Sequence, residues 1–153
     1  MSEVLYLLDT SVVLHLVRGG DLGRHIDATY GLSTASSRPL VCIVTHGEAR
    51  VMARRNGWGE PKLKALQRAI DDLVTVDISA PTVIDAYVEL DLVSQASPAG
   101  ARTMGKNDLW IAAAARASEA RLLTTDRDFD HLIPDYLDGD VIDPFFILSR
   151  NRT

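Results

Sequence analysis

The chain has 153 residues, 46% of them hydrophobic and 24% charged, a composition typical of one folded domain that excludes a disordered chain. Its net charge of −5 differs from that of most nucleic-acid-binding proteins, which are usually basic. A single cysteine, Cys42, allows no internal disulfide, which is typical of a reducing compartment and predicts a cytoplasmic protein. No apolar stretch approaches the length of a membrane span, so we expect no membrane contact.

The predicted elements alternate along the chain between short apolar runs and helical patterns. Continuous apolar runs predict strands at 4–8, 40–44, 74–78, 121–124 and 140–142, each buried on both faces of a parallel sheet. Between them, apolar periodicity predicts helices at 11–18, 21–30, 47–56, 63–73, 81–96 and 107–118. This alternation predicts an α/β fold with a mainly parallel sheet, in one domain over 1–148 followed by a frayed tail at 149–153.

Four acidic residues, far apart in the sequence, are expected at one edge of this sheet. Asp9 ends the first strand in LLDTS, and Asp126 follows the fourth strand in LLTTDRDF. Glu48 lies in the first turn predicted for the helix after the second strand, and Asp108 opens the helix that leads into the fourth. Because parallel strands end at the same edge, these acids converge there, provided that loop 98–106 returns the chain to that edge.

Each acid also has a purely structural interpretation. Asp9 would cap the helix that follows it, and Thr45 to Glu48 matches the capping box, in which the glutamate bonds the cap residue. Asp108 suits a helix N-terminus, where negative charge is favourable, and Asp126 would begin a turn. Taken singly these interpretations are at least as good as a functional one, but chance would not send all four acids to one edge.

The ordered set of motifs resembles the PIN-domain ribonucleases, the toxin half of VapBC-type toxin–antitoxin modules. The matching segments are Asp9-Thr10-Ser11, Glu48, Asn107-Asp108 before Ile111-Ala112-Ala113, and Thr124-Thr125-Asp126-Arg127-Asp128-Phe129. The resemblance implies a three-layer α/β/α sandwich and an endoribonuclease that depends on Mg²⁺ or Mn²⁺. It also implies a cognate antitoxin, a homodimer, and an RNA substrate for which transfer RNA is the leading candidate.

The motif assigns catalysis and metal binding to one acidic group, consisting of Asp9, Glu48, Asp108 and Asp126, with Asp128 as a further candidate. Carboxylate ligands favour Mg²⁺ or Mn²⁺, and the four histidines lack the spacing of a zinc site. The expected chemistry is metal-assisted hydrolysis of a phosphodiester, leaving a 5′-phosphate and a 3′-hydroxyl.

Other residues are predicted to support this site. Hydroxyl and amide side chains next to the acids would orient the carboxylates: Thr10, Ser11, Asn107 and Thr125. Arg102 and Lys106 would hold the scissile phosphate, and Trp58, flanked by glycines, would stack on a base. Six basic residues lie between positions 50 and 68, a run most often explained as solvated helix faces.

Two other classes of protein also place acids at the edge of a parallel sheet. A phosphatase of the haloacid dehalogenase type would show D-x-D-x-T after the first strand, where this chain has Asp9-Thr10-Ser11. A phosphotransfer receiver would need paired acids there and a late lysine, for which Arg127 is the nearest substitute. A third alternative is a catalytically inactive RNA- or protein-binding module on the nuclease fold, against which the intact acidic group argues.

Overall fold

The computed structural model describes residues 3–97 and 104–145. Five short strands form one sheet: β1 (Tyr6–Leu8), β2 (Leu40–Cys42), β3 (Val74–Val76), β4 (Arg121–Thr124) and β5 (Gly139–Val141). The helices are α1 (Thr10–Arg18), α2 (Asp21–Tyr30), α3 (Ile43–Arg55), α4 (Glu60–Asp71), α5 (Pro81–Gln95) and α6 (Lys106–Ala117). A 3-10 helix, Arg127–Leu132, follows β4.

All neighbouring strands of the sheet run parallel, in the order β3-β2-β1-β4-β5. The chain moves from β1 outward to β2 and β3, then crosses to the other side of β1 for β4 and β5. In open α/β sheets, ligands bind outside the carboxyl ends of the strands where the strand order reverses. Here that point lies between β1 and β4, where Leu8 is paired with Leu123.

Side chains of the central strands alternate between two hydrophobic cores. Leu7 and Leu122 are fully buried in a core shared with α5 and α6. Leu8 and Leu123 are buried on the opposite face, among apolar side chains of α1 to α4. Because helices cover both faces of the sheet, the fold is the expected α/β/α sandwich.

The helix that carries Asp108 is buried along most of its length. Ile111 and the four alanines after it are completely buried between the sheet and α5. The small alanine side chains let the backbones of neighbouring elements approach closely. Trp110 is part of this packing, since its ring stacks on Tyr87 at a centroid distance of 4.1 Å. The first turn of α6 is therefore held by a packed core.

Three expectations about local structure were wrong. Helix α3 begins at Ile43, because the apolar run after Pro39 changes from strand to helix after Cys42, and apolarity alone does not distinguish the two. Thr45 therefore lies inside α3 rather than capping it, and Glu48 lies in the second turn. The edge strand β3 is not buried on both faces, since Val74 is 47% exposed.

The expected C-terminal tail at 149–153 lies outside the described residues, and so does most of the apolar stretch before it. Phe145, the last residue described, is exposed. In the described part of the chain, no helix is long and apolar enough to cross a membrane.

Candidate metal centre

Asp9 is almost completely buried where β1 meets α1, with 4% of its surface exposed. Its Oδ1 accepts a hydrogen bond of 2.8 Å from the backbone N–H of Thr10, so it does cap α1. Its Oδ2 accepts hydrogen bonds from the hydroxyls of Thr124 and Ser11, at 2.6 and 3.2 Å. Burial nevertheless raises the pKa of Asp9 to about 6, because these donors compensate only part of the lost hydration.

The turn after β4 brings two further acids to the same edge. Thr124 links them to Asp9, because its hydroxyl accepts the backbone N–H of Asp126 at 2.9 Å while donating to Asp9. Asp126 Oδ1 in turn accepts the N–H of Asp128 at 2.9 Å and caps the 3-10 helix. Asp126 is therefore a turn residue as well, and the turn directs a second acid, Asp128, toward the edge.

Asp108 lies in the first turn of α6 and faces the other acids. Partial burial and the negative charges of its neighbours raise the pKa of Asp108 to about 7; those charges belong to Asp9, Asp126, Glu48 and Asp128. One carboxylate oxygen from each of Asp108, Asp126 and Asp128 lies within 4.8 Å of the others. The chain therefore does return to this edge before α6, as the topological argument requires.

Glu48 reaches the centre from α3 and is held by α6. The side-chain amide of Asn107 donates a hydrogen bond of 2.8 Å to Glu48 Oε2. Between the two helices lies a shallow depression of about 310 Å³, which Gly105, Lys106 and Asp108 also line. This depression is open to solvent beside the carboxylates, so an extended ligand has access to them.

The charge of the centre favours a bound cation. Among the described residues, none of the five acids forms an ion pair with Lys or Arg within 4.0 Å. Two like charges about 4 Å apart repel by roughly 4 kcal/mol at an effective dielectric of about 20, and a divalent cation between them reverses the sign. Oxygen ligands are those that Mg²⁺ and Mn²⁺ prefer, so the residues present fit such an ion.

The predicted supporting residues occupy the expected region, but two act through other atoms. Ser11 and Asn107 bond the carboxylates through their side chains. Thr10 uses its backbone N–H for Asp9, while its hydroxyl bonds that of Thr45 at 3.0 Å. Thr125 contributes a backbone N–H to Ser11 Oγ at 3.3 Å.

Thr124 was missed as a supporting residue, although a signal for it is present in the sequence. The motif LLTTD contains two threonines, and the first is still part of the strand. Its position directly follows Leu123, the residue paired with Leu8, so Thr124 lies beside Asp9 across the ladder. The register between two strands is needed to choose it over Thr125.

The three residues predicted to contact RNA lie in different parts of the chain, and they do not all lie at the centre. Lys106 is exposed on the rim of the centre, and Arg102 lies outside the described residues. Trp58 is not brought to the centre, because it follows the C-terminal end of α3, and the last residue of that helix, Arg55, lies about 10 Å along the helix axis from Glu48. Its ring packs on the core, with the ammonium group of Lys62 5.1 Å from the ring centroid.

Comparison with solved structures gives several matches to toxin–antitoxin proteins. VapBC2 from Rickettsia felis, bound to a DNA fragment from the promoter, matches with a TM-score of 0.71 at 20% identity, covering 90% of this chain and 98% of that one. DNA-bound VapBC from Salmonella typhimurium gives 0.69 at 20% identity, with coverages of 90% and 97%. VapC20 from Mycobacterium tuberculosis, a sarcin-ricin loop cleaving toxin, gives 0.55 at 18% identity, with coverages of 76% and 86%. At these identities, the likeness establishes the fold.

No curated protein sequence matches the chain. The family model for the PIN domain, in contrast, matches residues 6–133, which span the chain from β1 to the end of the 3-10 helix. The matched region contains all five acids of the centre. The chain therefore belongs to the PIN domain family.

Proposed function

We propose that this chain is an endoribonuclease that requires Mg²⁺ or Mn²⁺ and acts as the toxin of a type II toxin–antitoxin pair. The observation that carries the proposal is the convergence of five carboxylates at the reversal point of the sheet, without a cationic partner among the described residues. Membership of the PIN domain family and the likeness to VapBC structures support the same activity.

In this proposal, the metal-holding residues include Asp108, Asp126 and Asp128, each of which has a carboxylate oxygen within 4.8 Å of the others. Asp9 and Glu48 complete the acidic group and add ligand oxygens, either directly or through water. A divalent cation bound there supplies an activated water nucleophile and stabilises the charge that develops on the leaving 3′ oxygen. Asp128, the fifth candidate of the motif, thus becomes a principal ligand.

The remaining residues of the site hold the carboxylates in place. The hydroxyls of Thr124 and Ser11 each donate a hydrogen bond to Asp9, so the carboxylate of Asp9 cannot rotate freely. The amide of Asn107 fixes Glu48 in the same way. Lys106, at the rim, is placed to bind a phosphate next to the bond that is cut. Such fixed orientation is what in-line attack on phosphorus requires.

The partners follow from the same proposal. Several structural relatives are VapBC proteins, and VapBC-5 from Mycobacterium tuberculosis is described as a member of a family of toxin–antitoxin systems. We propose that a small antitoxin covers this centre and inserts a basic side chain among the carboxylates, and that the toxin is a homodimer. The substrate is RNA in the cytoplasm, either a transfer RNA or a ribosomal loop of the kind named for VapC20.

The activity is tested by incubating the purified chain with total RNA in Mg²⁺, in Mn²⁺ and in EDTA. We expect cleavage only with metal, with new 5′-phosphate ends whose positions are found by sequencing. Equal cleavage in EDTA would contradict the metal requirement. Binding of RNA without cleavage in any metal would favour the inactive binding module on the same fold.

The toxin role is tested in cells. Induced expression of the chain alone should arrest growth, and expression of Asp108→Asn at the same level should not. Coexpression of the antitoxin gene should restore growth. Normal growth of cells that contain active enzyme and no inhibitor would contradict the toxin assignment while leaving the nuclease activity intact.

A further inference from the structure

The positive charge of this acidic protein is concentrated in one segment. Helices α3 and α4 with the loop between them, residues 43–71, contain six basic and three acidic residues and so carry a net charge of +3. The remainder of the chain must then carry −8 to give the total of −5. A division this uneven is typical of a surface that meets a polyanion, even when the net charge of the protein is negative.

The structure gathers part of this charge in a groove. Helices α3 and α4 enclose a depression of about 230 Å³, here called the α3–α4 groove. Its lining includes three cations, Arg50 and Arg54 from α3 and Lys64 from α4, and one acid, Glu60, so the groove carries a net positive charge. Arg50 and Arg54 are one helical turn apart, about 6 Å along the axis, which is close to the separation of neighbouring phosphates in a single strand. Arg68 follows Lys64 by one turn on α4.

One of these cations is oriented by a chain of hydrogen bonds along the groove. Gln67 donates from Nε2 to Asp71 Oδ1 at 2.8 Å, and its Oε1 accepts from the guanidinium of Arg50. This fixes one nitrogen of Arg50 and leaves the others facing solvent. Within the described ranges, Arg50, Arg54 and Lys64 form no ion pair with an acidic side chain. Their charges are therefore available to an external anion.

The groove and the candidate metal centre lie on opposite sides of α3. Arg50 is two residues after Glu48, which places it about 200° around the helix axis. Between the two lies Gly47, which is exposed and faces open space on its Cβ side. A chain leaving the acidic centre across this face travels about the diameter of a helix, 10–12 Å, before it reaches the groove.

We propose that the α3–α4 groove binds the phosphodiester backbone of single-stranded RNA on one side of the bond that is cut. The inference rests on the proposed nuclease activity, because the substrate of that activity must enter from the metal centre. The α3–α4 groove would raise the affinity for RNA without a preference for sequence, since its cations contact phosphates and not base edges. An acidic protein segment is the competing occupant, and the experiment distinguishes it.

Binding is measured by fluorescence anisotropy with a labelled, unstructured RNA of about 20 nucleotides and, separately, with labelled polyglutamate, in EDTA and over a range of KCl concentrations. The test variant is the double substitution Arg54→Gln and Lys64→Gln, and the matched control is Arg38→Gln with Arg55→Gln. All four side chains are exposed and form no ion pair in the described part of the chain, but Arg38 and Arg55 do not line the groove. We expect the groove variant to bind about tenfold more weakly and its log–log salt slope to fall by about 1.4, with no such change in the control.

A second measurement separates the binding of RNA in the groove from its cleavage at the candidate metal centre. With Mg²⁺ present, the groove variant should show a raised KM and an unchanged kcat on the long RNA. On a substrate of about three nucleotides, which is too short to reach the groove, both constants should equal those of the unchanged protein. Melting temperatures of all variants establish that they are folded.

Equal loss of affinity in the groove variant and the control would overturn the proposal, because total charge would then be responsible. Retained RNA affinity with lost affinity for polyglutamate would overturn it in favour of an acidic protein partner. Groove-dependent RNA binding by a protein that cleaves nothing in any metal would uphold the groove while contradicting the proposed nuclease activity.

Discussion

The hydroxyl of Thr124, at the end of β4, donates a hydrogen bond of 2.6 Å to Asp9 Oδ2, at the end of β1. Both residues are buried, and the bond joins positions 115 residues apart in the sequence. The same hydroxyl accepts the backbone N–H of Asp126. A single oxygen thereby connects two acids of the candidate metal centre across the reversal point of the sheet.

Replacing Thr124 with valine should remove this connection while preserving the shape of the side chain. We expect the free energy of unfolding to fall by about 2 kcal/mol, because a buried carboxylate loses a donor. The pKa of Asp9 should rise above about 6 for the same reason. Urea unfolding measures the stability, and infrared titration of the carboxyl band measures the pKa. Thr45→Val is the matched control, since Thr45 is also buried and bonds only a hydroxyl. An equal effect of both substitutions would contradict a specific role for Thr124.

Replacing Asp108 with asparagine should have opposite effects on stability and activity. Without metal, at about pH 8, the melting temperature should rise, because Asp108, with its pKa of about 7, is ionised there and the substitution removes one of five repelling charges. The additional stabilisation by millimolar Mg²⁺ should shrink, and RNA cleavage should fall at least about 100-fold. Asp85→Asn, on the exposed side of α5, is the control. Full activity with unchanged melting in both buffers would show that Asp108 serves only the helix terminus.

The raised pKa values predict an unusual pH dependence of stability in EDTA. The ordinary pKa of aspartate is 3.8, whereas that of Asp9 is about 6 and that of Asp108 about 7. Between the ordinary pKa and these raised values, Asp9 and Asp108 bind more protons in the folded state than in the unfolded state. The free energy of unfolding therefore decreases as the pH rises. The melting temperature should therefore decrease from about pH 4 to about pH 7, and Asp108→Asn should reduce that decrease. A melting temperature that increases over this range in both proteins would contradict the assignment.

Replacing Asn107 with aspartate should add a sixth charge beside Glu48. The amide that donates to Glu48 Oε2 at 2.8 Å would become a carboxylate, so a hydrogen bond is exchanged for repulsion. Because this pair is exposed and screened by solvent, we expect the stability in EDTA to fall by about 1 kcal/mol at most and the stabilisation by Mg²⁺ to increase. Asn107→Ala removes the donor without adding charge and isolates the electrostatic part. If Mg²⁺ stabilises both variants equally, Asn107 lies outside the range of the bound ion.

Much of the architecture was predictable from local patterns. The five apolar runs correspond to the five observed strands, and their alternation with helices predicted the parallel sheet. The edge on which Asp9 and Asp108 meet followed from the same rule, because parallel strands all end on one side. The boundary between β2 and α3 was not predictable, since Ile43 and Val44 suit a buried strand and a buried helix equally well.

The sequence by itself determined which acids this protein has and which edge of the sheet they share, because strand direction and chain order are local and topological properties. Only the tertiary structure decided that Asp128 lies within 4.8 Å of Asp108 and Asp126, and that Thr124 rather than Thr125 holds Asp9 through its side chain. It also decided that Arg50, Arg54 and Lys64 share a groove. Distances of this kind depend on strand register, on the turn after β4 and on the packing of α3 against α4, and these are set by contacts between residues far apart in the chain.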